Sequence, residues 1–142
     1  MRKLVVAEFM SLDGVMQAPG GAEEDTEGGF TQGGWTWPFW HDDLGAHFFE
    51  AISNADTLLL GRKTWYTHGD AFEKMAGDPF ADAMNGIKKY VVSTTLPDAK
   101  MWRNSTLINK DVVNAVRELK NSEGKDILMD GSSVLIHSLL PH

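Results

Sequence analysis

Residues 55–65 read Ala-Asp-Thr-Leu-Leu-Leu-Gly-Arg-Lys-Thr-Trp, a short apolar run followed by a glycine and two cations. The apolar run from Thr57 to Leu60 is too short for a helix and is bounded by polar residues and glycine, which is typical of a strand buried on both faces of a parallel sheet. The Gly-Arg-Lys-Thr that follows places a turn, backbone N–H donors and two cations at the carboxyl edge of that sheet, where open α/β folds bind phosphorylated ligands. Four residues are a weak motif, so a surface turn with two solvated cations is the alternative.

Composition limits the class of protein. The chain has 142 residues, 42% of them apolar and 23% charged, so we expect one globular domain over residues 1–142. No apolar run is long enough to span a membrane, and the N-terminus lacks a signal-peptide pattern. The net charge of −7 argues against a nucleic-acid binder. The absence of cysteine excludes disulfides, thiolate metal sites and a cysteine nucleophile, and it fits a cytoplasmic protein.

Short apolar runs alternate with amphipathic segments along the chain. Strands are predicted over residues 3–9, 57–60, 89–93, 106–108 and 126–129. Helices are predicted over residues 41–54 and 111–121 and after Ser133, with a helical or irregular connection over residues 65–86. Asp42 and Asp43 are expected to cap the first of these helices. The alternation predicts a largely parallel sheet with helices on both faces.

A long irregular segment, residues 17–40, lies between the first strand and the first helix. It contains six glycines, an acidic cluster over residues 23–27, and the tryptophans Trp35, Trp37 and Trp40. A loop of this length in a globular domain is usually functional or disordered. We expect the acidic half to be disordered or mobile. The aromatic half should be buried or should stack on a ligand, because large aromatic side chains favour either environment.

Three strand ends are chemically alike. Gly61–Thr64, Ser93–Thr94 and Gly131–Ser133 each place small residues, hydroxyls or cations where a strand gives way to the next element. At one edge of a parallel sheet they would form a groove suited to a dinucleotide, with glycine allowing close approach to the diphosphate. The fingerprint Gly-x-Gly-x-x-Gly is absent, which argues against a Rossmann domain.

These motifs, taken in order, resemble the dihydrofolate reductase-like superfamily, in particular the bacterial branch related to the C-terminal reductase domain of the riboflavin-biosynthesis enzyme. The resemblance rests on Ser-Leu-Asp-Gly at residues 11–14, Leu-Gly-Arg-Lys-Thr-Trp at 60–65, Val-Val-Ser-Thr at 91–94 and Gly-Ser-Ser-Val-Leu at 131–135. It covers nearly the whole chain. It implies a three-layer α/β/α sandwich and an NADPH-dependent reductase acting on a small heterocyclic, pterin-like or pyrimidine-like acceptor.

The resemblance also assigns roles to individual residues. It implies that the Phe9 backbone meets the nicotinamide carboxamide and that Val15 and Met16 lie along the cofactor in a mobile loop. The residues implied to hold the phosphates and the adenosine are Gly61, Arg62, Lys63, Thr64, Ser93, Thr94, Gly131, Ser132, Ser133 and Val134. Arg62 is implied to lie near the adenosine 2′-phosphate, and the alternative role of the serines is N-capping of the last helix. Trp35, Trp37 and Phe48 are expected on the acceptor side; the tryptophans could instead be core plugs covering the sheet.

The proton donor is a separate question. Reducing a C=N bond needs a hydride on carbon and a proton on nitrogen, so an acid or an ordered water must lie near the acceptor. True dihydrofolate reductases have a carboxylate early in the helix after the tryptophan-containing loop, in a Pro-x-Asp-Leu setting. The Pro-Phe-Trp-His-Asp-Asp-Leu of residues 38–44 is similar with two extra residues, which makes Asp43 the first candidate; its alternative role is that of a first-turn acid. Asp130 is the second candidate, because the resemblance puts that strand end close to the nicotinamide. His41 and His47 are not at a metal-ligand spacing on a helix, so no metal site is expected.

One departure from the family concerns the end of the chain. In the family the last helix is followed by further strands that complete the sheet and often form a dimer interface, whereas this sequence ends at His142. We therefore expect an exposed sheet edge and leave the homodimer open. Two other classes also stay open: a nucleotide- or flavin-binding protein without catalysis, and a protein that sequesters a small aromatic molecule.

Overall fold

The computed structural model describes residues 1–75 and 77–142. Within them, five strands form one sheet: β1 (Leu4–Ala7), β2 (Ala55–Gly61), β3 (Lys88–Val92), β4 (Ser105–Ile108) and β5 (Asp126–Asp130). Their spatial order is β1-β5-β2-β3-β4, and every neighbouring pair is parallel. The largely parallel sheet predicted from the apolar runs is confirmed.

Helices connect these strands: α1 (Asp42–Asn54), α2 (Arg62–Glu73), α3 (Pro79–Gly86), α4 (Val112–Asn121) and α5 (Ser133–Leu139). The connection predicted over residues 65–86 contains α2 and α3, and Ala76 between them lies outside the described residues. His41 caps α1, because its Nδ1 accepts a hydrogen bond from the Asp43 N–H at 3.2 Å. The capping role expected of the two aspartates is therefore wrong, although both lie in the first turn. No described helix is long and apolar enough to cross a membrane.

The strand β2 is buried on both faces of the sheet. Leu58, Leu59 and Leu60 are each 0% exposed. Leu58 and Leu60 pack in a cluster with side chains of α1, α2 and α3, including Trp65. Leu59 belongs to the cluster on the opposite face, with side chains of α4 and α5. The predicted sandwich of helices on both sides of the sheet is therefore confirmed.

One lysine lies in the core among the described residues, and its ammonium group has specific partners. Lys89 is fully buried on β3, and its Nζ donates to the carbonyl oxygens of Asn85 at 3.1 Å and Ile87 at 2.7 Å. The same ammonium lies 4.4 Å from the ring centroid of Trp102, a distance at which the ring attracts a cation. Burial, followed by the nearby Arg103, lowers the pKa of Lys89 to about 8. The side chain thus satisfies carbonyl groups at the end of α3 and ties that helix to the sheet.

The loop over residues 17–40 is braced by its own aromatic and polar side chains. Trp35 Nε1 donates to the Gln17 carbonyl at 2.9 Å, Thr36 Oγ1 to Pro19 at 2.6 Å, and Trp37 Nε1 to Gly20 at 2.7 Å. The acidic half, expected to be disordered or mobile, is held as well, since the Gln17 amide donates to the carbonyls of residues 25 and 27. Trp37 is 63% exposed, so the alternative that it plugs the core is wrong.

Candidate active site

The carboxyl ends of β5, β2 and β3 lie side by side, because these three strands are parallel neighbours. The chain leaves them through Gly131, Arg62 and Ser93. The three chemically similar strand ends are therefore brought to one edge of the sheet, as predicted.

Two of these strand ends are joined by a direct hydrogen bond. The Gly61 N–H donates to Ser132 Oγ at 2.8 Å. Ser132 has a positive φ of 77°, and its hydroxyl does not cap α5, so the simple capping role considered for this serine is wrong. Gly131 also has a φ of 77°, and a Cβ on it would lie 2.7 Å from Thr64 Cγ2. Glycine is thus required for the turn after β5 to lie against the start of α2.

The first turn of α2 carries the features of an anion site. Gly61 precedes the helix, and no described side chain caps its first N–H groups. Arg62 is exposed and makes no ion pair with a carboxylate within the described residues. Unpaired N–H groups at a helix start, together with an adjacent guanidinium, favour a bound anion.

The second cation of this turn is already engaged. Lys63 Nζ lies 3.2 Å from Asp25 Oδ2 and also pairs with the Glu27 carboxylate. The hydrogen bond to Glu27 is the main cause that raises the pKa of Lys63 above its ordinary value. The acidic part of the 17–40 loop therefore covers one of the two cations predicted to meet a phosphate.

The residues predicted to contact the cofactor at the β3 end and after Ser132 differ in their exposure to solvent. Ser93 is buried, and its Oγ accepts hydrogen bonds from the N–H groups of Thr95 at 3.1 Å and Leu96 at 3.2 Å. Thr94 is exposed at the same turn, and Val134 is exposed on α5. Of these residues, Thr94 presents the accessible hydroxyl at the β3 end, whereas Ser93 shapes the turn.

The turn after β1 is closed by Ser11. Its N–H donates to the Val15 carbonyl and its Oγ accepts from the Val15 N–H, both at 2.9 Å. Gly14 has a φ of 89°, the positive value predicted for this turn. Val15 and Met16, the residues expected along the cofactor, follow directly and are half-buried.

Aromatic rings line the chain between β1 and α1. Phe9 stacks on Phe48 with a centroid distance of 4.7 Å and lies 6.3 Å from Trp40, which in turn lies 5.9 Å from Trp37. We call these four residues the aromatic row. The row brings together Phe48 and Trp37, both expected on the acceptor side. Trp35 is half-buried, and its indole N–H is bound to the loop backbone.

A carboxyl group that sequence reasoning missed lies beside Asp130. Ala7 is the register partner of Asp130, so Glu8 follows β1 next to the end of β5. Burial, followed by the Asp130 carboxylate, raises the pKa of Glu8 to about 7, with His68 acting in the opposite direction. Asp130 Oδ2 lies 3.2 Å from Nε2 of His68 on α2. The one sequence signal was a glutamate at the end of the apolar run of the first strand.

Asp43 has a different environment from the one its proposed role requires. Its side chain is 93% exposed at the start of α1. This carboxylate is therefore almost fully solvated, whereas Glu8 and Asp130 both lie in partly buried positions. Two partly buried acids thus lie together at the carboxyl edge of β1 and β5.

The parallel sheet, its helices on both faces and the glycine turns at its carboxyl edge define an α/β sandwich of the dihydrofolate reductase-like class. The model of the family described as the RibD C-terminal domain matches residues 2–142, and the chain belongs to this family. The family suggests a reductase-like domain of riboflavin biosynthesis. The chain is also similar to the uncharacterized protein YyaP of Bacillus subtilis (strain 168), at 26% identity over 144 residues, which cover 98% of this chain and 68% of YyaP.

Proposed function

We propose that this protein is an NADPH-dependent reductase that transfers a hydride to a small heterocyclic acceptor, pterin-like or pyrimidine-like, at a C=N or related bond. The observation that carries the proposal is the Gly61–Ser132 hydrogen bond, because it holds the cation-bearing start of α2 against the glycine turn after β5. The family's reductase character supports the reaction class.

The chain's residues fit the proposed cofactor. Gly131 lies so close to the Thr64 side chain that a Cβ would not fit, which brings the turn after β5 against the start of α2 at the junction of two strand ends. The α2 N-terminus, Arg62 and Lys63 would bind the phosphates, with Arg62 at the 2′-phosphate. Thr94 would meet the adenosine side, while Ser93 holds its turn. Bound NADPH would supply the hydride.

The acceptor would lie between the aromatic row and the carboxylates beyond β1 and β5. Planar heterocycles stack on aromatic faces, which Phe9, Phe48, Trp40 and Trp37 offer in one continuous set. Asp130 is the acid that we assign to protonation, because its side chain is mostly buried and hydrogen-bonded to His68. The exposed Asp43 lacks this environment.

Transfer of isotope from the cofactor tests this proposal. NADPH deuterated at the transferable C4 position is incubated with the protein and a panel of pterin and aminopyrimidine acceptors, and products are analysed by mass spectrometry. We expect one deuterium on the product carbon and one NADP⁺ per product. Tight NADPH binding without oxidation across the panel would identify a non-catalytic nucleotide-binding protein. Acceptor binding in the absence of NADPH, again without reduction, would identify a sequestering protein.

A further inference from the structure

Glu8, Asp130 and His68 form a cluster where β1, β5 and α2 meet. His68 Nε2 lies 3.2 Å from Asp130 Oδ2, and the two side chains are 21% and 16% exposed. Glu8 Oε1 is screened from solvent and has no hydrogen-bond partner among the described residues. We call these three residues the acid cluster.

The charges of the acid cluster are not balanced by cations. Asp130 from β5 and His68 from α2 are the charged groups that act on Glu8, and within the described residues no lysine or arginine pairs with either carboxylate. The rings of Phe72 and Trp102 lie 5.3 Å and 6.4 Å from the His68 ring, which adds apolar surroundings on the α2 side. Two carboxylates in poorly solvated surroundings repel each other, so retention of one proton is favoured.

We propose that the acid cluster stores one proton at neutral pH, held mainly by Glu8, and that Asp130 passes this proton to the acceptor during reduction. Glu8 is a positioning residue that acts through Asp130. Delivery rests on the proposed function, whereas storage is a property of the protein alone. Burial and the Asp130 carboxylate raise the pKa of Glu8, which is the direction that storage of a proton needs.

The proton step balances without a further reactant. When the acceptor carbon gains the hydride supplied by NADPH, the C=N electron pair moves to the acceptor nitrogen. The stored proton then moves from Glu8 to Asp130, as the O–H bond of Glu8 breaks and one forms on Asp130. The acceptor nitrogen forms its N–H bond as the new O–H bond of Asp130 breaks. The cluster is left with one proton fewer and the cofactor as NADP⁺. Water restores the proton through the partly exposed His68 imidazole.

Infrared spectroscopy tests the storage without any ligand. Difference spectra between the wild type and Glu8→Gln, recorded from about pH 5 to about pH 9, isolate the C=O band of a protonated carboxyl group. We expect a band that belongs to Glu8 and that disappears as pH rises, with a midpoint near pH 7. In the Asp130→Asn variant this midpoint should lie at lower pH, because the neighbouring negative charge is gone. Glu118→Gln, which removes an exposed carboxylate on α4, should leave the band unchanged. If the Glu8 band is already absent in weakly acidic solution, Glu8 does not hold a proton at neutral pH, and the proposed storage is refuted.

Turnover of the holoenzyme tests the delivery. In the wild type, kcat should fall as pH rises through neutral, because Glu8 then loses its proton. Glu8→Gln should lower kcat by about 10²-fold or more and should not show this pH-dependent fall, since Gln cannot hold the proton. NADPH affinity should stay unchanged, which a purely structural defect would not produce. Wild-type kcat and pH profile in Glu8→Gln would refute the delivery while leaving the reductase assignment intact. A titrating Glu8 band in a protein that reduces no acceptor would instead refute the delivery together with the proposed function and preserve the storage.

Discussion

The backbone N–H of Gly61 donates a hydrogen bond to Ser132 Oγ at 2.8 Å, which links the end of β2 to the turn after β5. Ser132→Ala removes the acceptor and leaves the Gly61 N–H without its partner. We expect a loss of about 1 kcal/mol in the free energy of unfolding, together with weaker NADPH binding, because the two halves of the anion site are no longer held together. Denaturant titration and calorimetry measure both effects.

Ser133→Ala is the matched control for this variant. Ser133 is the first residue of α5, and its hydroxyl makes no hydrogen bond within the described residues. Its replacement should leave the free energy of unfolding nearly unchanged, since alanine is a good helix former. Equal stability losses in the two variants would contradict the role assigned to the Gly61–Ser132 hydrogen bond.

The pairing of Lys63 with Asp25 and Glu27 should compete with the cofactor. The double variant Asp25→Asn/Glu27→Gln removes both carboxylates while keeping side-chain size. We expect NADPH to bind about three- to tenfold more tightly, because Lys63 then meets a phosphate without first giving up an ion pair. Titration at low and high salt measures the change, which added salt should reduce. Glu23→Gln, an exposed acid of the same loop, is the control, and an affinity gain of the same size there would refute the competition.

The exposed indole of Trp37 offers a direct test of the aromatic row. Because this side chain is 63% exposed, Trp37→Ala should fold with little loss of stability. Binding of a planar heterocycle should quench tryptophan emission in the wild type, and the variant should lose part of that quench. The acceptor KM should rise, while NADPH affinity changes little. Phe39→Ala, a neighbouring exposed aromatic outside the row, is the control; unchanged acceptor kinetics in Trp37→Ala would remove Trp37 from the acceptor site.

Glu8 should also make stability depend on pH. Its pKa is about 7 in the folded protein against an ordinary value of 4.5, so the folded state holds the proton more tightly than the unfolded state. The free energy of unfolding of the wild type, taken relative to that of Glu8→Gln, should therefore be greatest below the ordinary pKa. It should fall as pH rises towards the folded-state pKa, by no more than about 1.4 kcal/mol per pH unit. Denaturation midpoints of both proteins across this range measure the difference. A constant difference would contradict the raised pKa.

Local patterns were sufficient for the sheet. The apolar run Thr57–Leu60 predicted a strand buried on both faces, and Leu58, Leu59 and Leu60 divide between the two cores as such a strand requires. The meeting of three strand ends at one edge could also be predicted from the sequence, since parallel strands share their carboxyl edge. These features depend on residues close together in sequence.

Contacts between residues far apart in the sequence could not be predicted from those local patterns. Glu8 looks like an ordinary polar residue until β5 pairs with β1 and brings Asp130 beside it. Lys63 and Asp25 are 38 positions apart, so the local sequence around either residue does not predict the ion pair. The exposure of Trp37 likewise depends on how the loop folds back through its hydrogen bond to Gly20.

The affinity of Arg62→Ala for NADPH and NADH, measured by isothermal titration beside the wild type, tests whether this protein binds NADPH through its 2′-phosphate. Charge-assisted contacts to phosphate contribute about 1.5–3 kcal/mol each, so the variant should bind NADPH at least about tenfold more weakly. NADH, which lacks the 2′-phosphate, should be affected much less. Arg117→Ala, an exposed arginine on α4, should bind both nucleotides as the wild type does. Equal losses for NADPH and NADH would contradict the role of Arg62 at the 2′-phosphate, and no binding of either nucleotide by the wild type would contradict the proposed NADPH-dependent reductase.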